Sequence, residues 1–493
     1  MAFYKGEIAV KRFLKICLLA GVILCLIVSS ALAREYLILQ SKADSQLMSS
    51  FRNDIDLALK NSGLEDPVVL QWLEHMRAAR VDIDKEQVSR YKVENPNSLI
   101  IPADIKLYPS ELPVSSQLPN EIAMPWHVSL AVELQEYSIG KGALYDKVRV
   151  FVLDSGINSQ HEDLAASIEM DHALNFYGED TSDITDEYGH GTKVSGVLAG
   201  TETGVCPFVK FIPLKVADIK GEISLGDLTE ALDHVIGLSE KELTGKRIIL
   251  NLSYNSEWFD VPDSGLENYY DITLSLLKEA GILMVSSAGN GDSDGGKNVD
   301  VGYVYPTSNE SSNYIAAASI NKEGSLSDFS HFGYTTVETA APGSEIVTTG
   351  NEQEYETVWG TSFSSPFVCG IAATIWALEP SLECWEVRNL IINAVQGQKI
   401  TRDFIDEYRG REDDFLFRMD SNDEKMLSSQ KSALPVMSGK PLNPDTIAND
   451  PEKSVKKDVG SVTGGTSGGC SLHCFNSLIL LLLFPLGYLI FRR

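Results

Sequence analysis

The sequence predicts an α/β fold, a mostly parallel β-sheet covered by helices on both faces, and three observations predict it. Between residues 148 and 396, short β-branched runs alternate with helical patterns, the signature of βαβ units. The runs are apolar throughout instead of alternating, as strands buried on both faces are. The first run, Arg149-Val-Phe-Val-Leu-Asp154, ends on a carboxylate, and in open parallel sheets functional groups gather at the carboxyl ends of strands. Strands are predicted at 148–153, 211–216, 248–252, 282–286 and 314–318. Helices are predicted at 190–199, 225–239, 267–280, 362–378 and 383–395.

Other segments flank this unit. Residues 1–33 carry Lys11, Arg12 and Lys15 before an apolar run from Ile16 to Val28, then Ala31-Leu32-Ala33. A basic start, a short apolar core and an A-x-A arrangement predict a secretory signal peptide; an uncleaved anchor is the competing reading. Residues 34–118 form an N-terminal region, propeptide-like or accessory. Leu47, Phe51, Ile55, Leu57 and Leu59, and again Val69, Trp72, Leu73 and Met76, have loosely helical spacing. Five prolines from Pro96 to Pro119 then predict an extended, loop-like stretch. Residues 119–400 hold the α/β unit, and residues 401–469 read as a charged, then Gly/Ser-rich linker. Residues 470–493 form an apolar C-terminal segment.

Charge and cysteine content exclude some functions. The formal net charge is −28, from 69 acids against 41 Lys and Arg. So acidic a surface repels phosphate backbones, which argues against nucleic-acid partners. Of seven cysteines only Cys206, Cys369 and Cys384 belong to the body, which is no disulfide framework. A helix from Cys369 towards Pro380 separates Cys369 from Cys384 by more than a bridge allows, so free thiols are expected.

Four residues point to chemistry, each with a plainer alternative. Asp154 suits a functional carboxylate or the cap of a turn. His190-Gly-Thr-Lys193 opens a helical run, where a histidine is a reactive group or a cap. Ser362, in Gly360-Thr-Ser362-Phe-Ser-Ser-Pro366, precedes a long apolar helix, as an N-cap or as a nucleophile beside free N–H groups. Asn290, in Ser287-Ala-Gly289-Asn290, suits an αL turn or an amide donor to an oxyanion.

Taken together, the order Asp154, His190, Asn290, Ser362 with these flanks resembles the subtilisin-like serine proteases. Gly204-Val-Cys-Pro, Tyr305-Pro306, Phe329-Ser330 and Ala340-Ala-Pro-Gly343 match further family segments, and the resemblance covers about residues 119–400. It implies a three-layer subtilisin-like fold and a serine endopeptidase acting on protein or peptide substrates. It implies Ser362 as nucleophile, His190 as general base, Asp154 orienting His190, and Asn290 with the Ser362 N–H as oxyanion hole. This chemistry requires no cofactor and no metal. Ser253, Tyr254, Asn255 and Gly289 fall at substrate-binding positions.

There are departures. Lys193 stands where the family has a second histidine, and Tyr254-Asn255 replaces a Leu-Gly pair in the substrate strand. The acidic run Glu179–Glu187 offers oxygen ligands for calcium, against the reading of a solvated acidic loop. The N-terminal region resembles a family propeptide by position and length.

The C-terminal segment, with Gly468-Gly469-Cys470 before the apolar run Ser477–Phe491 and a terminal Arg492-Arg493, resembles bacterial sorting tails of the Gly-Gly type. That implies membrane association, removal by a sorting protease, and an exported enzyme in the periplasm, at the cell surface or outside the cell. A permanent anchor is the alternative. Two rival functions remain: a catalytically altered subtilase fold used for binding, and an aspartic protease using the two D-S-G sequences at Asp154 and Asp263.

Overall fold

In the computed structural model, residues 35–40, 50–64, 68–96, 98–112, 115–118, 123–131, 135, 142–333 and 335–392 are described. The predicted signal peptide, linker and C-terminal segment, with their four cysteines, lie outside these residues.

The chain begins with β1 (Glu35–Leu39), α1 (Ser50–Asn61), β2 (Val68–Leu73), β3 (Ala78–Asp82), α2 (Lys85–Glu94) and β4 (Leu99–Pro102). Two further strands, β5 (Lys106–Pro109) and β6 (Ser115–Leu118), lead through α3 (Trp126–Ser129) and α4 (Gly142–Tyr145) into the main unit. There follow β7 (Val148–Asp154), β8 (Leu174–Asn175), α5 (His190–Ala199), β9 (Lys210–Lys215), β10 (Ile223–Ser224) and α6 (Leu225–Glu240). Next are β11 (Arg247–Leu252), β12 (Tyr254–Asn255), α7 (Ser264–Glu279), β13 (Ile282–Ser287) and β14 (Tyr314–Ile320). The described chain closes with β15 (Thr339–Pro342), β16 (Ile346–Thr349), β17 (Tyr355–Val358), α8 (Ser364–Leu378) and α9 (Cys384–Ile392).

Seven of these strands form one sheet in the order β15-β14-β13-β11-β7-β9-β8, with every neighbouring pair parallel. Alternate side chains of a strand face opposite ways, so β7 feeds two cores. Val150 and Val152 pack with α5, α8 and α9, while Phe151 and Leu153 pack with α6 and α7. That two-sided burial is why the predicted strands are apolar without alternation. All five predicted strands are present, with ends one or two residues away. Thr361–Leu378 is long and apolar enough to cross a membrane, but 94% of that window is buried inside the fold, as a core helix is. Cys206, Cys369 and Cys384 are buried free thiols.

The N-terminal region differs from its predicted helical character. β1, β2, β3 and β4 pair antiparallel in the order β2-β3-β1-β4, with α1 and α2 on one face. This β-α-β-β-α-β sequence is a ferredoxin-like arrangement. The helix around Phe51, Ile55 and Leu59 is correct, although Leu57 is 58% exposed. Val69, Trp72 and Leu73 lie on a strand. A bulge between Val69 and Gln71 inserts a residue, so Val69 and Trp72, three apart, both pack on the α1 side. A bulged strand thereby imitates helical spacing. The proline-punctuated stretch is extended as predicted, yet it is not a loop: β4, β5 and β6 are all paired strands.

The sheet's other face carries Leu37, Leu39, Ala78 and Ile101 and packs on α6 and α7. Asp233 of α6 accepts from the backbone N–H groups of His75 and Met76 at 2.6 and 2.8 Å. Arg80 reaches Glu35 and Glu230. The N-terminal sheet is thus seated on α6 and α7.

Candidate active site

Asp154 is the last residue of β7, and His190 is the first of α5. Both are buried, and His190 Nδ1 donates to Asp154 Oδ1 at 2.7 Å. The Ser155 N–H donates to the same oxygen at 2.8 Å. Ser155 Oγ in turn donates to Asp186 Oδ1, and Asp186 accepts from the N–H groups of Gly189 and Thr192. A buried carboxylate on the loop before α5 therefore fixes the start of the helix relative to β7.

Burial alone would lower the His190 pKa. The Asp154 carboxylate, through charge and hydrogen bond, outweighs burial, with Glu111 adding to it, and the net shift is upward. Tyr254 adds a second brace: its hydroxyl donates to Asp154 Oδ1 at 3.3 Å, and its ring meets His190 edge-on at 5.3 Å. Burial, then the charge of Asp154, push the Tyr254 phenol well above its ordinary value, which keeps it a donor.

Ser362 sits in a 3-10 turn, Thr361–Phe363, immediately before α8. Its Oγ donates to the Ser253 carbonyl at 3.1 Å. Among the described residues His190 Nε2 is buried without a hydrogen-bond partner, so the Ser362–His190 link is not made in this arrangement. Ser253 Oγ donates to the Ser362 carbonyl and accepts from Asn251 Nδ2, and Ser365 Oγ, 2.8 Å from Ser253 Oγ, donates to Asn251 Oδ1. These groups fix the serine turn from below.

The site is filled by the chain itself. β5 lies between β10 and β12 and pairs antiparallel with both, Leu107 against Ile223 and Pro109 against Tyr254. The next residue, Ser110, donates its N–H to the Ser253 carbonyl at 3.2 Å. Its own carbonyl accepts from the Ser362 N–H at 3.0 Å and from Asn290 Nδ2 at 2.6 Å. The Asn290 amide cannot turn over, because Thr361 N and Oγ1 donate to its Oδ1. Ser110 Oγ donates to Asn255 Oδ1 at 2.5 Å, an oxygen that also accepts from Ser287 Oγ at 2.7 Å. Glu111 follows, paired with Lys193 Nζ at 2.5 Å. The Leu112 N–H donates to the Trp359 carbonyl at 2.8 Å, and β6 pairs antiparallel with β17. Gly360 permits this passage: a Cβ there would lie 2.4 Å from the Ser110 carbonyl oxygen and 2.8 Å from the Glu111 Cα.

Asn290 and Ser362 are therefore gathered around one backbone carbonyl, while Asp154 and His190 pair with each other. Of the residues predicted to bind substrate, Ser253 and Asn255 touch the threaded segment directly. Tyr254 touches it through backbone pairing and turns its side chain to Asp154. Gly289 donates its N–H to Thr361 Oγ1, and a side chain there would meet His331. Asp263 is not part of the site: it is the N-cap of α7, accepting from the Gly265 and Leu266 N–H groups, which removes the aspartic-protease reading. In the acidic run, Asp180 and Asp183 accept from the loop groups Ser182 N and Thr185 N, and Asp186 is the brace described above. Among the described residues no cluster of three or more His, Cys, Asp or Glu has the geometry to hold a metal ion.

Comparisons with known proteins agree with the fold and the family. The chain is 27% identical over 275 residues to Subtilisin-like protease 2 of Plasmodium falciparum, covering 53% of this chain and 19% of that protein. It is 29% identical over 271 residues to Subtilisin-like protease 6 of Trichophyton verrucosum, covering 52% and 58%. The chain thus spans less than two thirds of these relatives' own length. Its fold is similar to the crystal structure of an epidermin leader peptide processing serine protease from Staphylococcus aureus. That match has a TM-score of 0.54 at 19% identity and covers 73% of this chain and 92% of the other. The model of the subtilase family, peptidase S8, matches residues 146–420, more than half of the chain, and the chain belongs to that family.

Proposed function

We propose that the protein is a serine endopeptidase made as a precursor, and that the Ser110–Glu111 bond is the first bond it hydrolyses. One observation carries this reading: the Ser110 carbonyl lies between two donors, the Ser362 N–H and Asn290 Nδ2, as an oxyanion hole holds a scissile carbonyl. For this, Ser362 Oγ must turn from the Ser253 carbonyl to His190 Nε2, the nitrogen of that ring left without a partner. Ser362 Oγ then attacks the Ser110 carbonyl carbon, His190 takes the hydroxyl proton, and Asp154 stabilises the imidazolium. His190 returns the proton to the Glu111 nitrogen as the peptide bond breaks. Water then hydrolyses the Ser110 acyl-enzyme. The residues present complete these steps without a metal or organic cofactor. Residues 35–110 act as the prosegment, and protein or peptide segments that pair with β10 and β12 take their place afterwards.

Export and membrane attachment belong to the same proposal. The basic start and Ala31-Leu32-Ala33 support secretion, and the glycine tract with its apolar run and terminal arginines supports a membrane-held tail that a sorting protease removes. A silent, peptide-binding subtilase is favoured by one observation, the Ser362 Oγ bond to Ser253. A single experiment separates the two. Purified wild-type chain is expected to yield a fragment beginning at Glu111, and Ser362→Ala to remain uncut, its turnover reduced by about 10⁶, a magnitude taken from subtilisin. Equal processing of the two proteins overturns the mechanism. An uncut wild type that no serine-directed phosphonyl fluoride labels supports the silent fold.

A further inference from the structure

We infer that Lys193 is a specificity-determining residue that selects an acidic side chain immediately after the scissile bond. The inference rests on the reading above, in which Ser110–Glu111 is the bond presented for hydrolysis.

Lys193 lies three residues after His190 on α5, so both side chains rise from one helix face beside the threaded segment. Its backbone carbonyl accepts from Thr348 Oγ1 at 2.7 Å, which ties this turn of the helix to β16. Lys193 Nζ meets Glu111 Oε1 at 2.5 Å, and the two side chains are only 13% and 10% exposed. An exposed pair would contribute little, but this one is largely withdrawn from water. A neutral residue at the position of Glu111 leaves a partly desolvated ammonium without a partner, and a basic residue sets two like charges against each other. Both cases weaken the bound state.

The preference therefore acts on substrates as well as on the prosegment. Hydrolysis consumes one water and leaves a carboxylate on the residue before the bond and an ammonium on the acidic residue after it; departure of the segment that begins with that acidic residue then frees Lys193 for the next substrate. Suitable substrates are peptides with an extended stretch before the bond and Glu or Asp directly after it.

The test uses the full chain as wild type, Glu111→Lys, Lys193→Glu and the double variant, with the rate of appearance of the fragment beginning at residue 111 followed by mass spectrometry. Each single variant is expected to process about tenfold more slowly or worse, and the double variant to recover most of the wild-type rate through the exchanged pair. A second arm offers mature enzyme peptides copying Leu107–Leu112 with Glu, Ala or Lys after the bond. The ratio of kcat/KM values within one preparation cancels any difference in the folded fraction. Wild type should favour Glu over Lys by about tenfold or more, and Lys193→Glu should reverse the order. Wild type that cuts at 110–111 with no such preference, or a preference that Lys193→Glu leaves unchanged, overturns the role of Lys193 alone. A wild-type fragment that begins elsewhere, or none at all, overturns the assignment of the scissile bond and this inference with it.

Discussion

Asn255 presents an oxygen to Ser110, and its own amide decides that it is an oxygen. Asn255 Nδ2 donates to the Ser287 carbonyl and to Thr307 Oγ1, both at 3.0 Å, so the side chain cannot flip to offer a donor. Asn255 Oδ1 therefore accepts hydroxyls, and an apolar side chain in place of that of Ser110 would leave it only the Ser287 donor. Asn255→Leu is expected to lower kcat/KM for peptides with Ser before the bond by about ten- to a hundredfold, the effect of about 1–3 kcal/mol, and to raise relative turnover of an apolar residue. An unchanged Ser-to-Leu ratio in peptide hydrolysis would show that the hydroxyl is not read here. Asp154, His190, Asn290 and Ser362 were legible in the sequence because each sits in a short local signature. Ser110, Glu111 and Asp186 were not, because nothing local marks them: a serine and a glutamate between prolines become site residues only once β5 is laid along β12. Lys193 was visible as a departure, but its partner, 82 positions away, was not.

At the scale of elements, the N-terminal sheet is held on α6 by backbone groups as well as by apolar packing. The turn after β2 brings two N–H groups, of His75 and Met76, to one oxygen of Asp233. Asp233→Ala leaves both without that acceptor in a part-buried contact. In the uncut Ser362→Ala chain it is expected to lower the unfolding free energy by about 1–3 kcal/mol. Denaturant unfolding with an unchanged m-value checks this, and an unchanged midpoint would mean water replaces the carboxylate without loss. The main sheet was legible because strands buried on both faces are largely apolar without alternation, as Val150–Leu153 of β7, Ile248–Leu250 of β11 and Ile282–Val285 of β13 are. The N-terminal strands were not, since a bulge in β2 destroys the period of two and imitates helical spacing, and the prolines that end β4 and β5 read as loop. Tertiary contact, not local pattern, decides those strands.

Across the whole molecule, enzyme and bound segment share one chain, and both flanks of the Ser110–Glu111 bond are pinned to the body. Upstream, β5 pairs with β10 and β12; downstream, β6 pairs with β17, Trp126 Nε1 donates to the Ser344 and Glu345 carbonyls, and His127 Nε2 donates to the Thr203 carbonyl at 2.9 Å. His127 is fully buried with Nδ1 unpartnered, so the folded protein holds it neutral. Burial pushes its pKa down to about 4, against the opposing pull of the Thr203 carbonyl. As pH falls below the ordinary value of 6.5, the unfolded chain takes up a proton that the folded chain refuses until about pH 4. The contribution of His127 is therefore complete above 6.5 and lost as pH falls, with a slope of at most about 1.4 kcal/mol per pH unit. Burial, and next the charge of Lys297, lower His331 to about 4 as well, while burial raises Glu338 to about 7, which acts with the opposite sign. The prediction is accordingly a difference between two proteins. His127→Gln keeps an amide donor for Thr203 and does not titrate. In the Ser362→Ala background, the unfolding free energy of the parent minus that of His127→Gln should decline steadily from pH 6.5 to pH 4.5. A difference that stays level over that interval would mean that His127 titrates in the folded chain near its ordinary value, and that the segment after the cut is less firmly seated than the contact with Thr203 requires.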